Sequence, residues 1–230
     1  MTSTFSHMHV ISLGGSIVVP DMIDAVFLTS FKRMIEKRVE DGHRFVIIVG
    51  GGKPARLYQD GLKEIGINDD TSLDWIGIAA TRMNAELLRL AFGPLAYEKV
   101  IIDPTGVIDS DKPVLIGAGW KPGWSTDYVS VVLAEALGSK HVANLSNIDF
   151  VYETDPRNNP DAKKFETLSW ADYRALIPAV WTPGFSAPFD PVASAFADEH
   201  SIEVAIMNGK NLENLERYLD GHVFTGTRIQ

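Results

Sequence analysis

Arg44-Phe-Val-Ile-Ile-Val-Gly-Gly-Gly-Lys-Pro-Ala-Arg56 is the stretch on which the fold turns. Its first half, Arg44 to Val49, is of strand length and apolar without a break from Phe45 onward, the pattern of a strand buried on both faces. It passes directly into Gly50-Gly51-Gly52-Lys53. Pro54 then suits the first turn of a helix, where its missing amide costs nothing. Strand, glycine turn and helix together make the unit of an open parallel sheet, whose ligands sit at the carboxyl ends of the strands.

The same unit stands just before it. Met8 to Leu13 reads as a strand running into Gly14-Gly15-Ser16, and Met22 to Asp41 as a helix with Val26, Phe27, Met34 and Ile35 on its apolar side and Gly42 closing it. Beyond Arg56 the helix ends near Gly66. Asp69 to Phe92 predicts a long helix with Ile76, Ala80, Met83, Leu87, Leu88 and Ala91 on one side. Strands follow at Lys99–Ile102 and Pro113–Ile116, a loop from Gly117 to Thr126, and a helix from Asp127 to Leu137. The last third continues the rhythm: strand His141–Leu145, a polar stretch to Asp161, helix Ser169–Leu176, a proline-glycine loop from Thr182 to Pro188, helix Pro191–His200, strand Glu203–Met207, helix Leu212–Leu219 and strand Val223–Thr227. The alternation predicts an α/β fold, a three-layer α/β/α sandwich on a mostly parallel central sheet, with residues 1–230 forming a single domain.

Composition narrows the function. The chain of 230 residues carries a net charge of −9, so a broad electrostatic footprint for nucleic acid is absent and any bound anion must be gripped locally. There is no cysteine, which excludes disulfides, thiolate chemistry and the commonest soft zinc ligands. The six histidines are scattered with no metal-ligand spacing, and no metal-binding residue is predicted. No apolar run is long enough for a membrane span and no signal peptide pattern opens the chain, so the expectation is a cytoplasmic protein with no membrane partner. Ser6-His7-Met8 reads equally as an added leader before a natural start at Met8 or as an ordinary disordered terminus.

Three loops carry candidate chemistry. Without Cβ atoms, Gly14-Gly15-Ser16 and Gly50-Gly51-Gly52 can bring successive amides against a phosphate, although a turn needing positive φ explains a single such pair as well. Neither is a Walker or dinucleotide-binding motif. Lys53 can act as a point charge and Arg56 as a fork on phosphate, or both can lie on a solvated helix face. Trp120-Lys-Pro-Gly-Trp-Ser-Thr-Asp127 sets two indoles, a cation and two hydroxyls before a helix. There Ser125 or Thr126 can cap, Asp127 can answer the helix dipole, and the indoles can line a planar-base pocket. Ser146-Asn-Ile-Asp149 and Val151-Tyr-Glu-Thr-Asp155-Pro gather polar side chains at a strand end, as any turn also does.

In this order, seven strings resemble the amino-acid-kinase superfamily, most closely its uridylate kinases of the archaeal kind. They are Ser12-Leu-Gly-Gly-Ser16, Val49-Gly-Gly-Gly-Lys-Pro-Ala-Arg56, Asp74-Trp-Ile-Gly-Ile-Ala-Ala-Thr-Arg82, Pro122-Gly-Trp-Ser-Thr-Asp127, Asn147-Ile-Asp-Phe-Val-Tyr-Glu-Thr-Asp-Pro156, Phe189-Asp-Pro191 and Gly226-Thr227. The resemblance implies transfer of the ATP γ-phosphoryl group to UMP, with Mg²⁺ bridging the donor phosphates. It implies that Gly14, Gly15 and Ser16 meet the donor, that Gly51 contacts the acceptor, and that Gly52 and Arg56 lie between them. Asp74 and the loop Trp120, Lys121, Pro122, Gly123, Trp124, Ser125 and Thr126 would hold UMP. Ser146, Asn147, Tyr152 and Asp155 would surround the ATP base and ribose, with Asp127 and Asp149 organising the phosphate-binding groups. The resemblance also implies an acceptor lobe over residues 8–137, a donor lobe over 138–230, and a homo-oligomer in which dimers build a hexamer.

Three departures bear on the chemistry. Ser12 and Ala195 stand where many superfamily members carry lysines, and Phe150 replaces a usual glycine. Lys53, Arg56 and Lys121 are the cations expected to compensate, with Lys53 or Lys121 taking over charge stabilisation. Two other readings share the fold: a kinase for another small phosphate or carboxylate, and a non-catalytic nucleotide-binding, storage or regulatory protein.

Overall fold

The structure is a computed structural model and describes residues 7–178 and 187–230. A seven-stranded sheet runs through the molecule in the order β3-β2-β1-β4-β8-β9-β7. Its strands are β1 (His7–Leu13), β2 (His43–Val49), β3 (Val114–Gly117), β4 (His141–Ser146), β7 (Thr167–Leu168), β8 (Glu203–Asn208) and β9 (Thr227–Ile229). From β3 to β8 every pairing is parallel; β9 lies antiparallel to β8 and parallel to β7. Two short strands, β5 (Val151–Tyr152) and β6 (Lys164–Phe165), pair antiparallel apart from the sheet.

Helices cover both faces, which is why the central strands are mostly apolar, with Ser12 of β1 and Asn144 of β4 as buried polar exceptions. On one face Phe31 and Ile35 of α2 (Ala25–Glu40), Leu88 of α4 (Asp70–Phe92) and Leu215 of α8 (Leu212–Leu219) close over Leu13, Ile47 and Leu145. On the other, Val129 and Leu133 of α5 (Thr126–Ala136), Tyr173 of α6 (Trp170–Leu176) and Ala193 of α7 (Pro191–Glu199) close over Val10, Ile48 and Val204. A short α1 (Gly15–Val18) follows β1. The helix α3 (Gly52–Glu64) has no buried residue and packs against α4. The three-layer sandwich matches the alternation of the sequence.

Some elements differ from the sequence reading. Lys99–Ile102 is not a strand: its neighbourhood touches β3 only through single bridges, Ala96 to Val114 and Ile101 to Gly117. The final strand begins at Thr227 rather than Val223, because 223–225 is taken up by α8. Arg217 Nε donates to the Val223 carbonyl, while the Asn214 amide accepts from Thr225 N and donates to Thr225 O. The apolar side foreseen on α4 is divided. Ala80 and Leu88 are buried, Ile76 and Leu87 half-buried, and Met83 and Ala91 exposed; the buried face instead includes Leu73, Ile78, Ala85 and Phe92. His9 Nε2 and His43 Nδ1, distant in sequence, meet at 2.7 Å across β1 and β2, at the sheet edge opposite the cleft described below. Most of the proline-glycine loop at Thr182–Pro188 lies outside the described residues. Among the described residues no helix is long and apolar enough to cross a membrane.

Candidate active site

The chain leaves β2 and β3 on one side of β1 and returns to place β4 on the other, so the crevice at the carboxyl ends of β1, β2 and β4 is the switch point of the sheet. Backbone bonds tie the loops there: Gly14 N donates to Leu145 O at 2.8 Å and Gly50 N to Leu13 O at 3.0 Å. The two glycine loops pack backbone on backbone. A Cβ on Gly15 would lie 2.1 Å from Gly52 N, and Gly52, at φ +65°, would carry one 2.4 Å from Gly15 O. Glycine is thus required for the loops to touch each other, whatever ligand they receive.

A cleft of about 540 Å³ opens over this junction. It is lined by Ser16, Gly51, Gly52, Arg56, Asp74, Trp124, Ser125, Thr126, Asp127 and Asn147 of the expected set, and also by Gln59, Thr81, Gly119 and Asp190. Three helices begin at its wall. Ser125 caps α5 by accepting from Tyr128 N at 3.0 Å, and Asp190 caps α7 by accepting from Val192 N and Ala193 N at 2.7 and 2.9 Å. Helix α3, like the short α1 beside it, has no side-chain cap, so its first-turn end is left to receive an anion. Arg56 is the cation among the described lining residues, against the carboxylates of Asp74, Asp127 and Asp190.

Those carboxylates are perturbed. Asp74 is buried on α4 and accepts from Gly123 N at 2.6 Å; burial raises its carboxyl above the usual range against the pull of that amide. Asp127 is pushed up to about 7, by burial first and by the Asp190 charge second. Asp190 is also raised, by burial, against the hydrogen bonds it accepts from Ser125 and the α7 amides.

A model of the amino acid kinase family matches residues 8–208. The chain belongs to the amino acid kinase family. This kinase-family chain is 36% identical over 225 residues to a uridylate kinase of Pyrococcus abyssi, covering 96% of this chain and 98% of that protein. It is 32% identical over 217 residues to a uridylate kinase of Methanosarcina barkeri, covering 92% and 91% respectively. Among solved structures, the uridylate kinase of Archaeoglobus fulgidus superposes with a TM-score of 0.80 at 31% identity, over 97% of this chain and 100% of that one. The UMP kinase of Bacillus anthracis superposes with a TM-score of 0.77 at 21% identity over 97% and 95%, a likeness of fold.

Within this amino acid kinase fold the expected residues separate into groups. Lys53 is exposed, does not line the cleft and pairs with Asp21 at 3.0 Å; Lys121 is exposed and lies 3.9 Å over the Trp120 ring. Trp120, Lys121, Pro122 and Gly123 are not among the residues lining the cleft, whereas Trp124, whose ring leans on Tyr128 at 4.1 Å, is. Gly14 and Gly15 support the loop junction from behind. Ser146, Asp149, Tyr152 and Asp155 do not line the cleft: Asp149 accepts from Asn208, and Asp155 pairs with Arg157 at 2.7 Å. Ala195 is exposed on α7 and does not line the cleft.

Several residues escaped the sequence reading. Asn84 Nδ2 donates to Gly50 O and Gly51 O at 2.9 and 3.0 Å, and Arg82 donates to Gly119 O and Trp120 O at 3.2 and 2.7 Å. Both lie in or just beyond the string Asp74 to Arg82, but a helix interior gives no sign of which distant carbonyls it serves. Asp190 stood inside the quoted Phe189-Asp-Pro191, where an N-cap before proline accounts for it without any role in a cleft.

Proposed function

We propose that the protein transfers the γ-phosphoryl group of ATP to UMP, giving UDP and ADP. The observation that carries the reading is the uncapped start of α3, opening with Arg56 onto a cleft whose far wall is the indole-bearing loop before α5. One wall suits phosphates and the other a planar base. The relatives named uridylate kinase support UMP as the acceptor.

In-line phosphoryl transfer between phosphates asks mainly for positioning and charge stabilisation. Gly51, Gly52 and Arg56 meet the donor and acceptor phosphates, Asp74 fixes the loop that receives the nucleoside, and residues 146–155 hold the base and ribose of ATP. Residues 8–137 then act as the acceptor lobe and 138–230 as the donor lobe. Mg²⁺ carried by the nucleotide phosphates would neutralise charge on the group in transfer. The working particle is a homo-oligomer built from dimers.

The test is ADP release from Mg-ATP with UMP, CMP and small phosphates or carboxylates offered in parallel. Turnover with UMP at a kcat/KM at least tenfold above the other acceptors is expected. Tight ATP binding without turnover on any acceptor favours the non-catalytic alternative, which draws its support from the position of Lys53 and Lys121 outside the cleft.

A further inference from the structure

Asp127 and Asp190 meet where β1, α5 and α7 converge, and no cation accompanies them. The Asp190 backbone N–H reaches Asp127 Oδ2 at 3.3 Å, and Ser12 Oγ reaches Asp127 Oδ1 at 3.3 Å. Neither carboxylate has an ion-pair partner among the described residues, and residues 179–186 contain no lysine, arginine or histidine. The titratable groups around the pair are Tyr128 of α5 and Tyr173 of α6, both pushed upward by burial and by the carboxylates themselves. From β1 comes only Ser12, and from β4 only Asn144, whose amide is turned to Pro188 O. Arg56 lines the cleft but is a hydrogen-bond partner of neither acid.

Two buried carboxylates so placed disfavour each other's charge, and they titrate as a pair. The hydrogen bonds decide where the proton rests. Asp190 is 5% exposed and accepts three strong donors, Val192 N, Ala193 N and Ser125 Oγ, which favour its charged form. Among the described residues the Asp127 side chain accepts two long bonds, and the half-buried residue forms part of the cleft wall. The proton therefore sits on Asp127, the less solidly hydrogen-bonded of the two acids lining the cleft.

We propose that Asp127 works as a neutral carboxylic acid whose O–H donates a hydrogen bond to an oxygen of the phosphoryl group in transfer, with Asp190 as the positioning residue that keeps the proton there. The proposal rests on the phosphotransfer reading above. The proton stays on Asp127 throughout; its hydrogen bond shortens as negative charge gathers on the oxygens of the phosphoryl group, supplying stabilisation that a cation would otherwise give. It also accounts for a cleft with three acids and few cations, since one of the acids is neutral.

The test is kcat with saturating Mg-ATP and UMP between about pH 5 and 9 for the wild type, Asp127→Asn, Asp127→Ala and Asp190→Asn, with thermal midpoints of the same proteins. Wild-type kcat should fall as the pH passes about 7 and the donor is lost. Asp127→Asn, which donates at every pH, should stay within about tenfold of wild type near pH 6.5 and lack the fall, while Asp127→Ala loses about a hundredfold or more throughout. Asp190→Asn should move the fall to lower pH. Because the folded-state pKa of Asp127 is raised, the folded chain binds more protons than the unfolded one. Wild-type stability relative to Asp127→Asn should therefore drop as the pH rises towards 7 and level off above it. A flat or rising wild-type profile, or Asp127→Asn as inactive as Asp127→Ala, overturns the donor role. A midpoint gap that is equal at low and high pH overturns the held proton itself. Absence of turnover with every acceptor overturns the phosphotransfer reading and the donor role with it, and the midpoint gap still shows whether the pair holds a proton.

Discussion

Asp74 shows how much one side chain can settle in this cleft. Its carboxylate is taken up by Gly123 N, 49 positions along the chain, so its first effect is to hold the outer loop in place. Replacing it by alanine removes a charge-assisted bond of about 1.5–3 kcal/mol. That should raise the acceptor KM roughly tenfold to a hundredfold with a much smaller change in the ATP KM. Asp74→Asn keeps an acceptor oxygen and should lose less. Since burial raises the Asp74 carboxyl, it takes up its proton at a higher pH than an exposed aspartate, and the wild-type acceptor KM should climb on the acid side first. Steady-state kinetics with each substrate varied in turn, at two pH values, check all three statements. The residue type and its place at the head of a string were legible in the sequence. Its partner was not, because a hydrogen bond to a backbone amide leaves no mark on the identity of the glycine that donates it. Lys53 and Lys121 illustrate the same gap: their charges can be read, but the Asp21 and Trp120 that hold them away from the cleft belong to the folded chain.

At the scale of elements, α4 is the spine of the site. Asn84 holds the second glycine loop, Thr81 Oγ1 accepts from Gly119 N at 2.8 Å, and Arg82 and Asp74 fasten the following loop at two more points. One helix thereby sets the distance between the second glycine loop and the loop before α5. Asn84→Ala strands the carbonyls of Gly50 and Gly51 in a buried place, at a cost of about 2 kcal/mol. The thermal midpoint should fall by about 4–8 °C. Unlike Asp74→Ala, this change should also weaken ATP binding, because the glycine loop itself is released; calorimetry and ATP titration of the variant would show it. The helix was legible from its apolar period and from Asp69, which caps it by accepting from Ser72 N at 2.9 Å. The errors fall on short β segments. Lys99–Ile102 has strand-like residues but only isolated bridges, and Val223 to Thr225 is claimed by side chains of α8 before the sheet begins. In both places tertiary partners outweigh local propensity.

For the whole molecule, the parallel sheet and its two helical layers could be foreseen because the central strands are largely apolar, β2 with an unbroken run from Phe45 to Val49, as burial on both faces requires. Which side of α4 faces inward could not be foreseen, since apolar residues surround much of the helix. The structure leaves Trp75, Met83 and Leu90 exposed on one side of α4, with Leu57 and Tyr58 exposed on the neighbouring α3. A cluster of large apolar side chains on two packed helices is more than an isolated chain needs to present to water, and a two-fold contact is the simplest way for identical chains to cover it. Sedimentation or light scattering should therefore give at least a dimer for the wild type. Met83→Glu places a charge in the middle of that face and should shift the population towards monomer at micromolar concentration, without changing the thermal unfolding of the monomer by more than about 0.5 kcal/mol, as expected for an exposed position. Because Asp74, Thr81, Arg82 and Asn84 on the inner side of the same helix hold the loops of the cleft, loss of the contact should also reduce turnover. A wild type that is monomeric at every concentration would remove the oligomer and this coupling together.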